Sequence, residues 1–153
     1  MNPFKVINVI FFLLFFAYSS SCKNQSLPHE TLLISLEKTP CFGTCEAYKL
    51  EIFSSGLVKF NGLGNHKMIG HYEARIEQQE LRDIMEQFRV SDFFSFKDQY
   101  AGNVKDLPTT YIFFKDQMKE KTIQDYYNAP MKLKELEQLI EGLVLSLKWR
   151  KTN

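Results

Sequence analysis

A surplus of one charge is the first thing this sequence lacks. Its 19 Lys and Arg stand against 18 Asp and Glu, a formal net charge of +1. That removes the clustered basic excess a nucleic-acid surface needs, so no nucleic-acid partner is expected. The single basic knot, Lys148, Arg150 and Lys151, closes a helical stretch, where the helix dipole favours cations. Glycine and proline are sparse, at seven and five residues, and neither repeats nor low-complexity tracts are present. Catalytic signatures are missing too. There is no G-x-S-x-G, and Gly62-Leu63-Gly64 is followed by neither a third glycine nor a helix, so it reads as a turn. No catalytic residue is assigned and no cofactor is expected. Asp98, Asn103 and Asp106 share a loop without the regular alternation of a calcium site.

Long apolar runs are also absent. The longest, residues 6–16, is broken by Asn8 and has roughly half the ~20 residues that cross a bilayer. It follows Lys5 and leads through Ser19, Ser20 and Ser21 to Cys22, the layout of a cleaved export signal. The end of the segment resembles a bacterial lipoprotein signal, which implies cleavage before Cys22 and acylation (palmitate and related chains) of that cysteine. More than one acyl chain is needed for stable anchoring. The expected organisation is a signal peptide over 1–21, a polar tether over 22–30 and one domain over 31–150. The membrane is the expected partner of the lipid, and the cell envelope the expected location, at the outer membrane facing the periplasm. Without its signal the chain is formally neutral, and about 130 residues are enough for a single core.

Within the domain, residues 31–37 alternate at Leu32, Ile34 and Leu36, and residues 46–61 read as a hairpin about Ser54-Ser55-Gly56. Residues 67–74 form a candidate fourth strand. The period then becomes helical at Leu81, Ile84, Met85 and Phe88. An aromatic-rich loop over 90–108 precedes a second hairpin, 110–115 and 119–124, and Leu133, Leu136, Leu139, Ile140, Leu143, Val144 and Leu147 mark a final amphipathic helix. This order predicts an α+β fold: an antiparallel sheet of about five to six strands with two helices on one face. The aromatics Phe93, Phe94, Phe96, Tyr100, Tyr111, Phe113 and Phe114 are expected in the core.

The remaining chemistry lies in CFGTC. With Cys22 given to lipid, an even pair is left in an exported domain, which favours a Cys41–Cys45 disulfide bracing a turn. Thiol redox exchange is an alternative, but the spacing is not C-x-x-C and a strand follows, so no helix dipole activates the thiols. Copper or zinc binding by Cys41 and Cys45 with His71 or His66 is a third reading. The two histidines would face opposite ways on one strand. Free thiols and the identity of a nearby histidine decide among the three.

Pro40, Cys41, Gly43, Cys45 and Tyr48, followed by a strand-turn-strand, by DLPTTYIFF and by a closing helix that ends in tryptophan, resemble the domain of unknown function DUF6438 family of small exported lipoproteins. Glu46 stands where that family usually has proline. The resemblance covers residues 31–150 and implies a fold unit without an activity. The expected function is therefore a non-enzymatic envelope module that presents a surface to a protein or ligand.

Overall fold

A computed structural model describes residues 30–152. The predicted signal peptide, Cys22 and the tether up to residue 29 lie outside the described residues. The elements are β1 (Leu32–Lys38), β2 (Ala47–Phe53), β3 (Leu57–Gly64), β4 (Gly70–Arg75), α1 (Gln78–Val90), a 3-10 turn (Phe93–Ser95), β5 (Gln99–Tyr100), β6 (Thr110–Asp116), β7 (Lys119–Asp125), α2 (Met131–Ser146) and β8 (Arg150–Lys151). They form one eight-stranded sheet in the order β5-β7-β6-β1-β2-β3-β4-β8.

The α+β expectation holds, but the sheet is larger and mixed. Its six long strands are mutually antiparallel, while β5 lies parallel to β7. The two extra strands are the two-residue edges β5 and β8. A pair of residues is too short to display an alternation, which is why periodicity passes over both. One turn also differs from expectation. Gly62-Leu63-Gly64 continues β3, and the chain reverses only after it, with Asn65 at φ 51°. Gly62 is required there because a side-chain carbon would sit 1.7 Å from the Met68 carbonyl oxygen.

Strand register explains the core. Leu36 pairs with Leu50 on one side and Ile112 on the other, and the row extends through Phe60 and Ile123. A second row joins Phe114, Ile34, Ile52 and Val58. All of these are buried. Leu81, Ile84 and Phe88 of α1 and Leu133, Leu136 and Ile140 of α2 join the same cluster. The aromatics expected inside are there in part. Phe93 packs on Phe88 at 5.3 Å and on Phe114 at 5.6 Å, whereas Tyr111 and Phe113 line the face away from the core.

The third row changes character. At the end of the sheet where β1 stops, the inward positions are Asp125, Thr110, Lys38, Tyr48 and Gly62. Polar groups therefore continue the apolar stripe at one pole of the domain, called distal below. The opposite, proximal pole holds the Ser54–Gly56 turn, the β6–β7 turn and the first described residues. Thr31 accepts a backbone bond from Ser54 at 2.9 Å, and Ser55 donates to Glu30 at 2.9 Å.

Candidate functional site

The distal pole carries the cysteine turn. Cys41 and Cys45 form a disulfide with Cα atoms 5.7 Å apart. Inside the loop the Gly43 amide donates to Cys41 Sγ at 3.3 Å. Asn65 clamps the turn from the β3–β4 connection, its Nδ2 donating to the carbonyls of Gly43 and Cys45 at 3.3 and 3.4 Å. Phe42 projects from the apex, 96% exposed. The pairing leaves neither sulfur as the thiolate that a metal site would need. β2 follows the turn, so neither cysteine begins a helix.

The histidines do not complete a metal site with these sulfurs. His66 lies in the ring cluster, 4.9 Å from Phe60 and 5.4 Å from Tyr48, and its Nδ1 accepts from the Met68 amide at 3.0 Å. His71 faces the helix-free side of the sheet beside Lys49, Glu51 and Asn61. The copper or zinc reading at Cys41, Cys45 and His71 is corrected accordingly: its thiolates are consumed in a disulfide. Among the described residues no group of three His, Cys, Asp or Glu is arranged for a metal ion. In the loop of Asp98, Asn103 and Asp106, Asp98 pairs with Lys121 at 2.9 Å.

Behind the disulfide opens a cleft of about 460 Å³ between the polar row of the sheet and α2, with Cys45 and Glu46 on one wall and Pro108 and Tyr126 on another. Its floor was not anticipated. Asp125, at the end of β7, and Glu137, in the second turn of α2, retain only 2% and 3% exposure. Lys134, one helical turn before Glu137, bonds Asp125 Oδ2 and reaches Glu137 Oε2 at 3.1 Å. Among the described residues Asp125 Oδ1 and Glu137 Oε1 accept from no N–H donor, and the two carboxyls lie within hydrogen-bonding reach of each other, so a proton on Glu137 is shared with Asp125. Beside them Lys38 is committed to Glu141 at 2.6 Å.

Two buried carboxyls share one ammonium here, and the electrostatics follow. Burial pushes the Glu137 carboxyl up to about 7, Lys134 opposes that, and the neighbouring Asp125 reinforces it. For Lys134, burial works against the charge, but hydrogen bonding to Asp125 and the field of Glu137 prevail and its pKa is raised. The Tyr48 hydroxyl is driven up by burial and then by Glu141 and Glu46, so it stays protonated. Near neutral pH the floor is poised to hold or release one proton, and it attracts positive charge.

The family model described as Domain of unknown function (DUF6438) matches residues 32–144. The chain belongs to the DUF6438 family. No curated protein matches it at a significant level. The match spans the disulfide turn, both hairpins, α1 and nearly all of α2, so both walls of the cleft are part of this DUF6438 unit.

The sequence carried a faint signal for the missed residues. Asp125 is in phase with Ile123 on the inward side of β7, and Glu137 falls inside the stripe of Leu133, Leu136 and Ile140. A charged residue at an apolar-phase position is the observation that would have found them.

Proposed function

We propose that this DUF6438 protein is a lipid-anchored, non-enzymatic binding module of the cell envelope, tethered through Cys22 at the outer membrane on its periplasmic side. Its distal pole, comprising the disulfide turn and the acidic cleft, meets a partner or ligand. The observation that carries this reading is polarity of attachment. The chain joins the sheet at Glu30 and Thr31, against Ser54 and Ser55, while the cysteine turn and cleft lie at the other end of β1. Seven strand residues separate the two poles by roughly 20 Å. A lipid at Cys22 and a short polar tether would leave the distal pole facing away from the bilayer. The layout of residues 1–22 supports the anchor, and the disulfide fits an exported location.

The experiment has two parts. Alkyne-palmitate fed to cells expressing the full chain is expected to label it, and Cys22→Ser to abolish labelling and release the protein from membranes. A photo-crosslinking residue at position 42 is expected to capture a second species, whereas the same residue at position 55 is not. Labelling that survives Cys22→Ser, or capture at position 55 without capture at position 42, overturns the proposal.

A further inference from the structure

Resting on that reading of the distal pole, we propose that its cleft binds an organic cation, a guanidinium or primary ammonium head, against the paired carboxyls of Asp125 and Glu137, which share one lysine. Charge supplies the first argument. The cleft is lined by Glu46, Asp125, Glu137 and Glu141 against Lys38 and Lys134, four acids less two bases, a formal excess of two negative charges when Glu137 is ionised and one when it is protonated. Lys38 is spent on Glu141. Lys134 divides its ammonium between Asp125 and Glu137.

Burial supplies the second. Asp125 Oδ1 and Glu137 Oε1 are sequestered and, among the described residues, accept from no N–H donor, leaving the pair to share one proton and one lysine. An uncompensated buried carboxylate is costly, and a protein relieves that cost with a proton or with a cation. Glu137 with its elevated pKa takes the first route in the free protein. A ligand bearing several N–H donors offers the second, and two acceptors on facing elements suit a forked donor such as guanidinium.

The surroundings narrow the class. The described residues lack a third carboxylate, thiolate or imidazole placed to complete a metal shell. Lys134 lies over the two acids with 42% of its side chain exposed, an internal ammonium on a flexible stem that an incoming head can displace. Pro108 and Tyr126 provide surface for the ligand's alkyl stem. Lys134 and Asp125 act directly on Glu137, and Glu141 of its own helix, Thr110 of the sheet, Lys38 at the end of β1 and Glu46 beside the disulfide line the same cleft.

Isothermal calorimetry on the full chain in detergent micelles tests this with three probes: agmatine, the tripeptide Gly-Arg-Gly, and its neutral isostere Gly-citrulline-Gly. Agmatine and Gly-Arg-Gly are expected to bind and the citrulline peptide not to. Binding near pH 6.5 is expected to release protons, seen as a dependence of the heat on buffer ionisation enthalpy, because the cation takes the proton's place on Glu137. Asp125→Asn should weaken binding by about tenfold or more, and Glu137→Gln should abolish the proton release. Lys134→Ala, which removes the internal competitor, should tighten binding by about tenfold, and it remains informative if Asp125→Asn does not fold. Binding by the tripeptide assigns the cation to a partner's basic side chain. Binding by agmatine alone assigns it to a free amine. Equal binding of the citrulline peptide, no binding to either wild type or Lys134→Ala, or preferential filling by Ca2+ or Mg2+ overturns the proposal. Should this fail while position 42 still crosslinks, only the ligand class falls and the distal surface stands.

Discussion

The two poles of this sheet treat a carboxylate in opposite ways. At the proximal pole Asp116 receives Arg89 through two parallel bonds, Nε to Oδ2 at 2.8 Å and a terminal nitrogen to Oδ1 at 2.9 Å. Both oxygens are satisfied, and hydrogen bonding from Arg89 outweighs burial to hold the carboxyl below its ordinary range. At the distal pole Asp125 and Glu137 are more deeply buried yet share a single lysine, and Glu137 moves the other way, to about 7. One pole is a closed electrostatic unit that fastens α1 to the β6–β7 hairpin. The other retains unused acceptors. Structural ion pairs tend toward the first condition and binding sites toward the second.

The comparison can be broken most severely at Lys134. Lys134→Met removes the ammonium that, among the described residues, bonds the two distal acids, and is expected to cost about 3 kcal/mol in urea unfolding near pH 7.5, the low end for an orphaned buried charge because the lysine is partly exposed. Lowering the pH to about 5 should recover part of that loss as Glu137 takes a proton.

The pH dependence of the wild type separates the poles by sign. Glu137 binds its proton more tightly folded than unfolded, so stability is expected to fall as pH rises from its ordinary 4.5 to about 7. Asp116 binds its proton less tightly when folded, so its contribution is present above its ordinary 3.8 and is lost as pH drops below it. Glu137→Gln should flatten the upper limb by on the order of 2 kcal/mol while leaving the acid limb unchanged. Replacing both Cys41 and Cys45 by alanine is expected to cost about 2 kcal/mol, the entropy of closing so short a loop. The heat-unfolding midpoint reports it, and a shift confined to the distal pole would appear as faster amide exchange near Asn65. The smallest effect belongs to Arg89→Ala, about 1 kcal/mol, since that pair is bidentate but largely solvated. Added salt should diminish it further.

How much of this was legible in the chain differs between the same two regions. The period-two rows through Leu36, Leu50 and Ile112 and the helical stripe through Leu133, Leu136 and Ile140 are local patterns, and they place the long strands and both helices. Cysteine counting likewise led to the disulfide. β5 and β8 were not legible because each is held by a distant partner, β7 and β4, and not by its own periodicity. The cleft was harder still. Its floor joins residues from β7 and α2, and neither Asp125 nor Glu137 stands out until register and helix phase put them face to face. A charged residue in an apolar phase is a signal only to a reader who already trusts the phase.

The position of β1 has a mechanical consequence. The strand that continues into the N-terminal segment is not an edge. It runs down the middle of the sheet, hydrogen-bonded to β2 on one side and β6 on the other. Were the N-terminal segment held and the far ends of β6, β7 or α2 pulled, both ladders would be loaded in shear along their length, so their bonds would fail together and not unzip one by one. A pull at the cysteine turn would instead run along the backbone of β1 itself, which leads straight into it.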